Sequence, residues 1–476
     1  MIKHMLKRQF VEDVLSHAFL INFVLILGAV VAFSLIFLSD YRGWLEDYAG
    51  KNAENAKNLR QFSEEPRNAN SYANMQLVMK PRAERLISLA YEDKSPQGFY
   101  FRMWGDELRV LSKKEYLSGI NWVLPVSNRE FMSRPSLFSP DLTFIVQFLL
   151  SFFAVILAFN AVTGEKESGT LRLIYANPAK RSHFLAVKFI SVLLTLGLPL
   201  LLSLIIAAIM VGVSSIVPLS PSFIYNLMMF AILSLLYLSV FVLIGLLCST
   251  FSRSSRHSLV LGLLSWVFLV VILPKSPGLL LNLKRFDVPT EQQIEAIADK
   301  VRQDSLKKYE REFLALRNDA EAYIKLGLNV GAEIDEARQG VRDYYLRKKI
   351  AAVLALRKVN MISPASLFEY AASSVTGTGI FHFENFWTQA RQYGNGFISF
   401  VKQISGDKNP SSPFQFDIRS ITDKPIDYNA IPKFEEKEIK TGERIRDALP
   451  YFALLILDNL FLFVLVFYKF EKYDVR

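Results

Sequence analysis

Six long apolar runs govern what this chain can fold into: Ala18–Leu38, Leu142–Ala161, Phe189–Val213, Phe223–Cys248, Ser258–Leu273 and Pro450–Tyr468. Only the last holds a charge, Asp458. Five of the six approach or exceed the roughly 20 residues that carry a helix across a hydrocarbon core about 30 Å thick. The fifth is shorter but lies one tight turn from its neighbour. Backbone groups in lipid find no water to bond, so helices are the expected form. The first run is too long for the apolar stretch of a signal peptide and no small-x-small site follows it, so it reads as a retained anchor. At 51% hydrophobic and 21% charged residues, the chain is neither disordered nor wholly soluble.

Orientation follows from Lys and Arg in the short connections. Lys3, Lys7 and Arg8 precede the first run. Lys166, Arg172, Lys180, Arg181 and Lys188 follow the second, Arg253 and Arg256 follow the fourth, and Lys469, Lys472 and Arg476 close the chain. The connection Ser214–Ser222 is uncharged. Both termini are therefore expected in the cytoplasm. This arrangement accounts for most of the net charge of +10, and no nucleic-acid partner is needed to explain it. The expected fold is a polytopic α-helical membrane protein with six transmembrane helices, N-in and C-in. Its divisions are 1–39 (N-terminal segment and helix 1), 40–140 (a first periplasmic domain), 141–273 (helices 2–5), 274–448 (a second periplasmic domain) and 449–476 (helix 6 and tail).

The first outer segment reads as a small α/β domain. A polar helix is expected over Trp44–Phe62, then a turn-rich patch at Pro66–Ser71. Strand-like runs follow at Gln76–Met79, Leu86–Tyr91, Phe99–Trp104 and Leu108–Leu111, with Gly105-Asp106 as a hairpin turn. The second segment reads as mostly helical. Apolar residues recur at helical spacing from Ile294 to Ile324 and again from Ile334 to Leu356. Gly327 and Gly331 interrupt the pattern, and Thr290 with Gln293 has the spacing of a capping box. This predicts a long antiparallel helical hairpin. From Ser363 to Phe400 helical stretches are broken at Thr376–Gly379. Phe381, Phe383, Phe386, Trp387 and Tyr393 there suit either a lipid interface or a domain core.

The most informative stretch follows the second run: Thr163-Gly164-Glu165-Lys166-Glu167-Ser168-Gly169-Thr170-Leu171, then Pro178, Lys180, Arg181 and Lys188. Gly164-x4-Gly169 has the outline of a phosphate loop. The expected lysine is replaced by Thr170, however, and Glu165 and Glu167 would repel phosphate. What the string resembles is the cytoplasmic loop of type-2 ABC exporter permeases: two acids, Gly-Thr-Leu, a proline with a small and a basic residue, then a lysine at the next helix. Asp141 at the start of helix 2 fits as well. The large segment between helices 5 and 6 is similar to that of permeases for nitrous-oxide-reductase maturation and gliding motility.

The resemblance implies a permease subunit of an ATP-binding-cassette exporter in a bacterial inner membrane. It implies ATPase subunits as cytoplasmic partners, which would hold ATP and Mg, and a second permease copy or homologue. The chain itself would be no enzyme and carry no cofactor. A coupling helix is then expected near 163–176, with Glu165, Glu167, Gly169, Thr170 and Leu171 as coupling residues. Gly169 would allow close approach. Leu171, Leu173 and Ile174 would form a knob for the partner's groove. Glu165 and Glu167 lie two apart, so they face different ways: one could meet a partner's basic residues while the other caps a helix. The alternative is an ATP-driven mechanical transmitter or envelope scaffold, with a possible periplasmic partner and no cargo passing through the bundle.

Asp458 and its neighbour Asn459 are candidates for a translocation path or an interhelix polar contact, as is Asp141. The five histidines are scattered, and the single cysteine, Cys248, permits no internal disulfide. No metal site or catalytic constellation is evident.

Overall fold

In the computed structural model the residues described are 2–66, 75–89, 98–101, 109–111, 141–171, 181–217, 220–274, 289, 291–405 and 422–472. All six apolar runs become helices long and apolar enough to cross a membrane. A short helix α1 (Ile2–Val14) leads into α2 (His17–Glu64), which starts at the cap made by Ser16 Oγ on the amide of Phe19. The second span, α3, runs through Leu142–Phe144, a π-helical stretch Ile145–Leu150, and Ser151–Ala158. The five-residue α4 (Thr163–Glu167) follows it. Next come α5 (Arg181–Val213), α6 (Pro221–Phe251) and α7 (Ser255–Trp266), the last continuing as a π-helical stretch Val267–Ile272. The final span is α12 (Thr441–Glu471), after α8 (Glu291–Ala315), α9 (Ala320–Asn360), α10 (Pro364–Thr376) and α11 (Ile380–Ser405).

The spans meet closely where glycine allows it. A Cβ on Gly245 of α6 would lie 2.6 Å from the Cβ of Ala158, and one on Gly262 of α7 would lie 2.7 Å from Val155 Cγ1. Small residues therefore bring α6 and α7 onto α3, as expected where lipid supplies no hydrophobic drive between helices. α6 is the most enclosed span, with Phe230, Tyr237 and Phe241 fully buried. α1 and the 163–171 segment lie at one end of the bundle, the basic end. The residues that follow α2's apolar stretch lie at the other, the domain end.

α2 does not stop where its apolar stretch stops. The polar helix expected over Trp44–Phe62 is the outer half of one unbroken 48-residue helix, roughly 72 Å long at about 1.5 Å per residue. Gly43 stands between the two halves but keeps helical geometry rather than forming a left-handed cap, and no proline falls within the helix, so nothing ends it at the membrane.

Beside the outer half of α2 lies a three-stranded antiparallel sheet, β1 (Met75–Val78), β2 (Gly98–Phe101) and β3 (Arg109–Leu111), in the order β1-β2-β3. Met75 pairs with Phe101, and Gly98 with Leu111. The strand expected over Leu86–Tyr91 is instead a 3-10 turn at Ala83–Leu86. Ile87 then gives its carbonyl to the amide of Thr143 at 3.0 Å, and Leu89 N donates to Asp141 Oδ2 at 2.8 Å, so these backbone groups serve the start of α3 rather than a sheet. The turn patch from residue 67 on, Tyr91, and the Gly105-Asp106 turn lie outside the described residues.

α8 and α9 form the expected antiparallel hairpin, laced by Arg342–Glu295 at 2.8 Å and Lys308–Glu333 at 2.8 Å. The break falls at residues 316–319, not at Gly327 and Gly331. Asp319 caps α9 by accepting from Ala322 N at 3.1 Å, and both glycines sit inside the helix. One glycine costs a helix only about 1 kcal/mol, which a 41-residue helix packed on its partner absorbs. Thr290 lies outside the described residues.

The segments before and after the central spans share a core. Leu59 and Phe62 of α2, Met75, Leu77 and Met79 around β1, Ile350 of α9, Phe383, Phe386 and Phe397 of α11, and Ile431 are packed in one cluster. Of the aromatic residues named on α11, Phe383, Phe386, Trp387 and Tyr393 therefore belong to a domain core, while Phe381 is exposed. α10 does the opposite of what its place in the sequence suggests: it is almost wholly buried in the span bundle. Phe368 stacks on Tyr237 with ring centres 4.5 Å apart. Ser363 Oγ donates to the carbonyl of Leu269 at 2.8 Å, and Gln147 reaches the carbonyl of Ala365 at 3.4 Å, so α10 abuts both π-helical stretches. It ends at Gly377, whose left-handed φ of +72° a residue with a Cβ would resist.

Candidate functional site

The residues singled out from the sequence converge at the basic end. α4 is only five residues long, but three consecutive side chains on it reach three different spans. Glu165 turns towards α5: Lys188 Nζ donates to its Oε1 at 2.9 Å, and Thr170 Oγ1 donates to its Oε2. Lys188 also donates to Gln9 of α1 at 2.8 Å, while Ser191 donates to Asp13 at 2.7 Å. Through Glu165, α4 is thus tied to the third span and to the N-terminal helix.

Lys166 turns towards α6. Its ammonium donates to the carbonyls of Thr250 at 3.1 Å, Ser252 at 3.4 Å and Ser249 at 3.5 Å. These are the carbonyls a helix leaves unpaired at its C-terminus, where a positive charge also meets the favourable end of the helix dipole. Glu167 turns towards α7. It accepts from the amide of Ser255 at 2.8 Å and from Ser255 Oγ at 2.7 Å, so a carboxylate sits on the N-terminus of that helix. The joint is further closed by Ser249 Oγ, which accepts from Val162 N and Thr163 N at 3.0 Å each. Ser258 Oγ donates to the Phe159 carbonyl at 2.6 Å.

Glu165 and Glu167 do face different ways, but both carboxylates are engaged within the chain. Gly169 adopts φ +72°, and no atom lies within 4 Å of where its Cβ would be. The glycine is there to turn the chain out of α4. Helical geometry resumes at Thr170 and Leu171. Leu171 is 3% exposed and belongs to the core of the bundle, so it is no protruding knob. Leu173, Ile174, Pro178 and Lys180 lie outside the described residues. α5 begins at Arg181, which puts Lys188 two turns inside the helix rather than at its opening.

Lys166 is the residue the sequence did not single out. It looks like one more basic residue of a positively charged loop, and its partners are backbone carbonyls some 85 positions away, which leave no mark on local pattern.

The other candidates are dispersed. Asp141 is buried and caps α3 by accepting from Phe144 N at 2.7 Å. Asn459 pins α12 to α6: its Nδ2 donates to the Leu236 carbonyl at 3.0 Å, and Ser239 Oγ donates to its Oδ1. Asp458 is half-buried, and its Oδ2 has no hydrogen-bond partner among the described residues. Among the described residues no group of three or more His, Cys, Asp or Glu side chains could hold a metal ion.

Comparison with known proteins bears on the whole chain. Residues 5–475 match the family model described as ABC-2 family transporter protein. No curated protein matches the chain.

Proposed function

The chain belongs to the ABC-2 family of transporter proteins, and from that premise we propose that it is the permease subunit of an ATP-driven exporter in a bacterial inner membrane. It is a multi-pass membrane transport component and not itself catalytic. ATP and Mg would be held by partner ATPase subunits. The basic end would face the cytoplasm, following its Lys and Arg, and the domain would stand on the far side. A second permease, identical or homologous, would complete the bundle.

The observation that carries this reading is α4. Glu165, Lys166 and Glu167 bond to three spans and, through Lys188, to α1. A subunit that seized the segment 163–171 and moved on binding ATP would favour one arrangement of the helices over another, and the bundle's equilibrium would shift accordingly. Asp458, a carboxyl within a span, would serve the path of the cargo.

The test is isolation of the tagged chain from its own membrane in mild detergent, with and without Glu165→Ala/Glu167→Ala, followed by an ATPase assay. The expected result is an ATPase subunit that co-purifies with the native chain and is lost, or loses its coupled activity, with the double variant. Absence of any ATPase from the intact native complex would overturn the reading.

One observation favours a second reading. α2 passes unbroken from the bundle into the domain core, which suits a transmitter of movement that passes no cargo. Asp458→Asn distinguishes the two: it lowers export in the first and leaves domain movement untouched in the second.

A further inference from the structure

The turn between α6 and α7 is held from outside by two adjacent side chains of opposite charge. Lys166 grips the C-terminal carbonyls of α6, and Glu167 grips the first amide and hydroxyl of α7. Between them lie only Ser252, Arg253 and Ser254. Each charge has the sign that its helix end favours. Because both side chains stand on one five-residue helix, a rotation of α4 about its Lys166 contacts carries the start of α7 with Glu167.

The two gripped helices differ in how freely they can follow. α6 is enclosed along most of its length, with Phe230, Leu233, Tyr237, Val240, Phe241 and Val242 at 0–1% exposure. α7 packs on α3 and α6 but leaves a broad apolar face open, with Leu261, Leu264 and Phe268 at 46–62% exposure. A pull on α4 therefore meets a fixed anchor at Lys166 and a movable arm at Glu167.

We infer that Lys166 and Glu167 form a bracket that routes movement of α4 into α7, separately from the Glu165–Lys188 link that serves α5 and α1. Lys166 is the positioning residue. It holds α4 to the enclosed span at one point, so that rotation of α4 about that point appears as a swing of α7. This rests on the permease reading above, and it names which span carries the stroke.

The test uses the full complex in native membranes, in a Cys248→Ala background. Single reporters are His183→Cys on α5 and His257→Cys on α7, the first half-buried and the second exposed, both outside the apolar runs. The rate of reaction with N-ethylmaleimide is measured without nucleotide and after trapping with ATP and vanadate, for Lys166, Lys166→Met and Lys166→Arg, with co-purification of the ATPase followed in parallel.

The native chain is expected to show a nucleotide-dependent rate change at both reporters. Lys166→Met is expected to keep the ATPase and the change at His183→Cys but lose the change at His257→Cys. Lys166→Arg is expected to restore it, since a guanidinium can also donate to those carbonyls. A merely structural lysine would not separate the two reporters. An undiminished response at His257→Cys in Lys166→Met overturns the inference. So does loss of the ATPase from that variant, which would make Lys166 part of the attachment. Absence of the ATPase from the native complex would instead remove the permease reading itself.

Discussion

The two ends of the span bundle are closed by different chemistry. At the domain end the contacts are flat and buried. Arg357 lies over the rings of Tyr370 and Tyr451 at 4.5 and 4.8 Å, Arg85 lies over Trp44 at 4.6 Å, and Phe368 stacks on Tyr237. At the basic end α4 is held by single hydrogen bonds and ion pairs, Lys166 and Glu167 on helix termini and Glu165 on Lys188, beside a buried stack of Phe184 on Phe470 at 5.8 Å. Stacked, close-packed surfaces lose their worth when displaced by an ångström. A hydrogen bond to a helix end contributes a net of about 1 kcal/mol, because water or another partner can replace it. The domain end is thus built to keep one shape, and the basic end to be taken hold of and re-formed.

The sharpest way to break this comparison is at the domain end. Phe368→Ala removes a fully buried ring between α10 and α6. It is expected to cost about 3–5 kcal/mol, read as a large fall in the melting temperature of the purified protein. A small fall would mean that α10 rests loosely on the bundle and that the contrast is overstated.

A smaller effect is expected at the basic end. Lys188→Met strips a partner from both Glu165 and Gln9. The cost should be about 1–3 kcal/mol, and it should be local: α1 loosens, and trypsin cuts faster after Lys7 and Arg8. Equal cleavage rates in the two proteins would show that Asp13 and Ser191 alone hold α1 in place.

The smallest effect concerns pH. His382 of α11 is 2% exposed, and burial, with Arg82, Arg85 and Arg444 around it, holds its pKa well below the usual 6.5, despite Glu436 at 3.6 Å. The folded protein keeps the imidazole neutral while the unfolded chain takes up a proton. Its contribution to stability is therefore full above about pH 6.5 and declines as pH falls below that value. Melting temperatures measured from pH 8 to pH 5 should show this decline, and His382→Gln should flatten it. An unchanged slope in the variant would assign the decline to other groups.

What the sequence made legible was whatever is written locally. The six spans stood out because lipid admits no alternative to long apolar helices, and the hairpin of α8 and α9 stood out because its period repeats over many turns. The junctions were not legible. The outer half of α2 is polar and so looked like a separate helix. Leu86–Leu89 has strand-forming residues, but its backbone answers Asp141 and Thr143 more than fifty positions away. Leu171 sits in a pattern that suits a knob yet is buried, and Lys166 reads as one more loop lysine because its carbonyl partners lie some 85 positions away. α10 shows the same limit: nothing in Pro364–Thr376 separates a helix of the domain from one that inserts among the spans.

α2 has a further consequence. Roughly 30 Å of its length is enough to cross the hydrocarbon, which leaves more than half of a 48-residue helix standing clear of it. A rod of about 72 Å, pivoted near its lower end, moves its tip by about 6 Å for each 5° of tilt. Its tip is bound into the domain core through Leu59 and Phe62. A reorientation too slight to open a gap between spans would therefore still shift the whole domain by more than the width of a side chain.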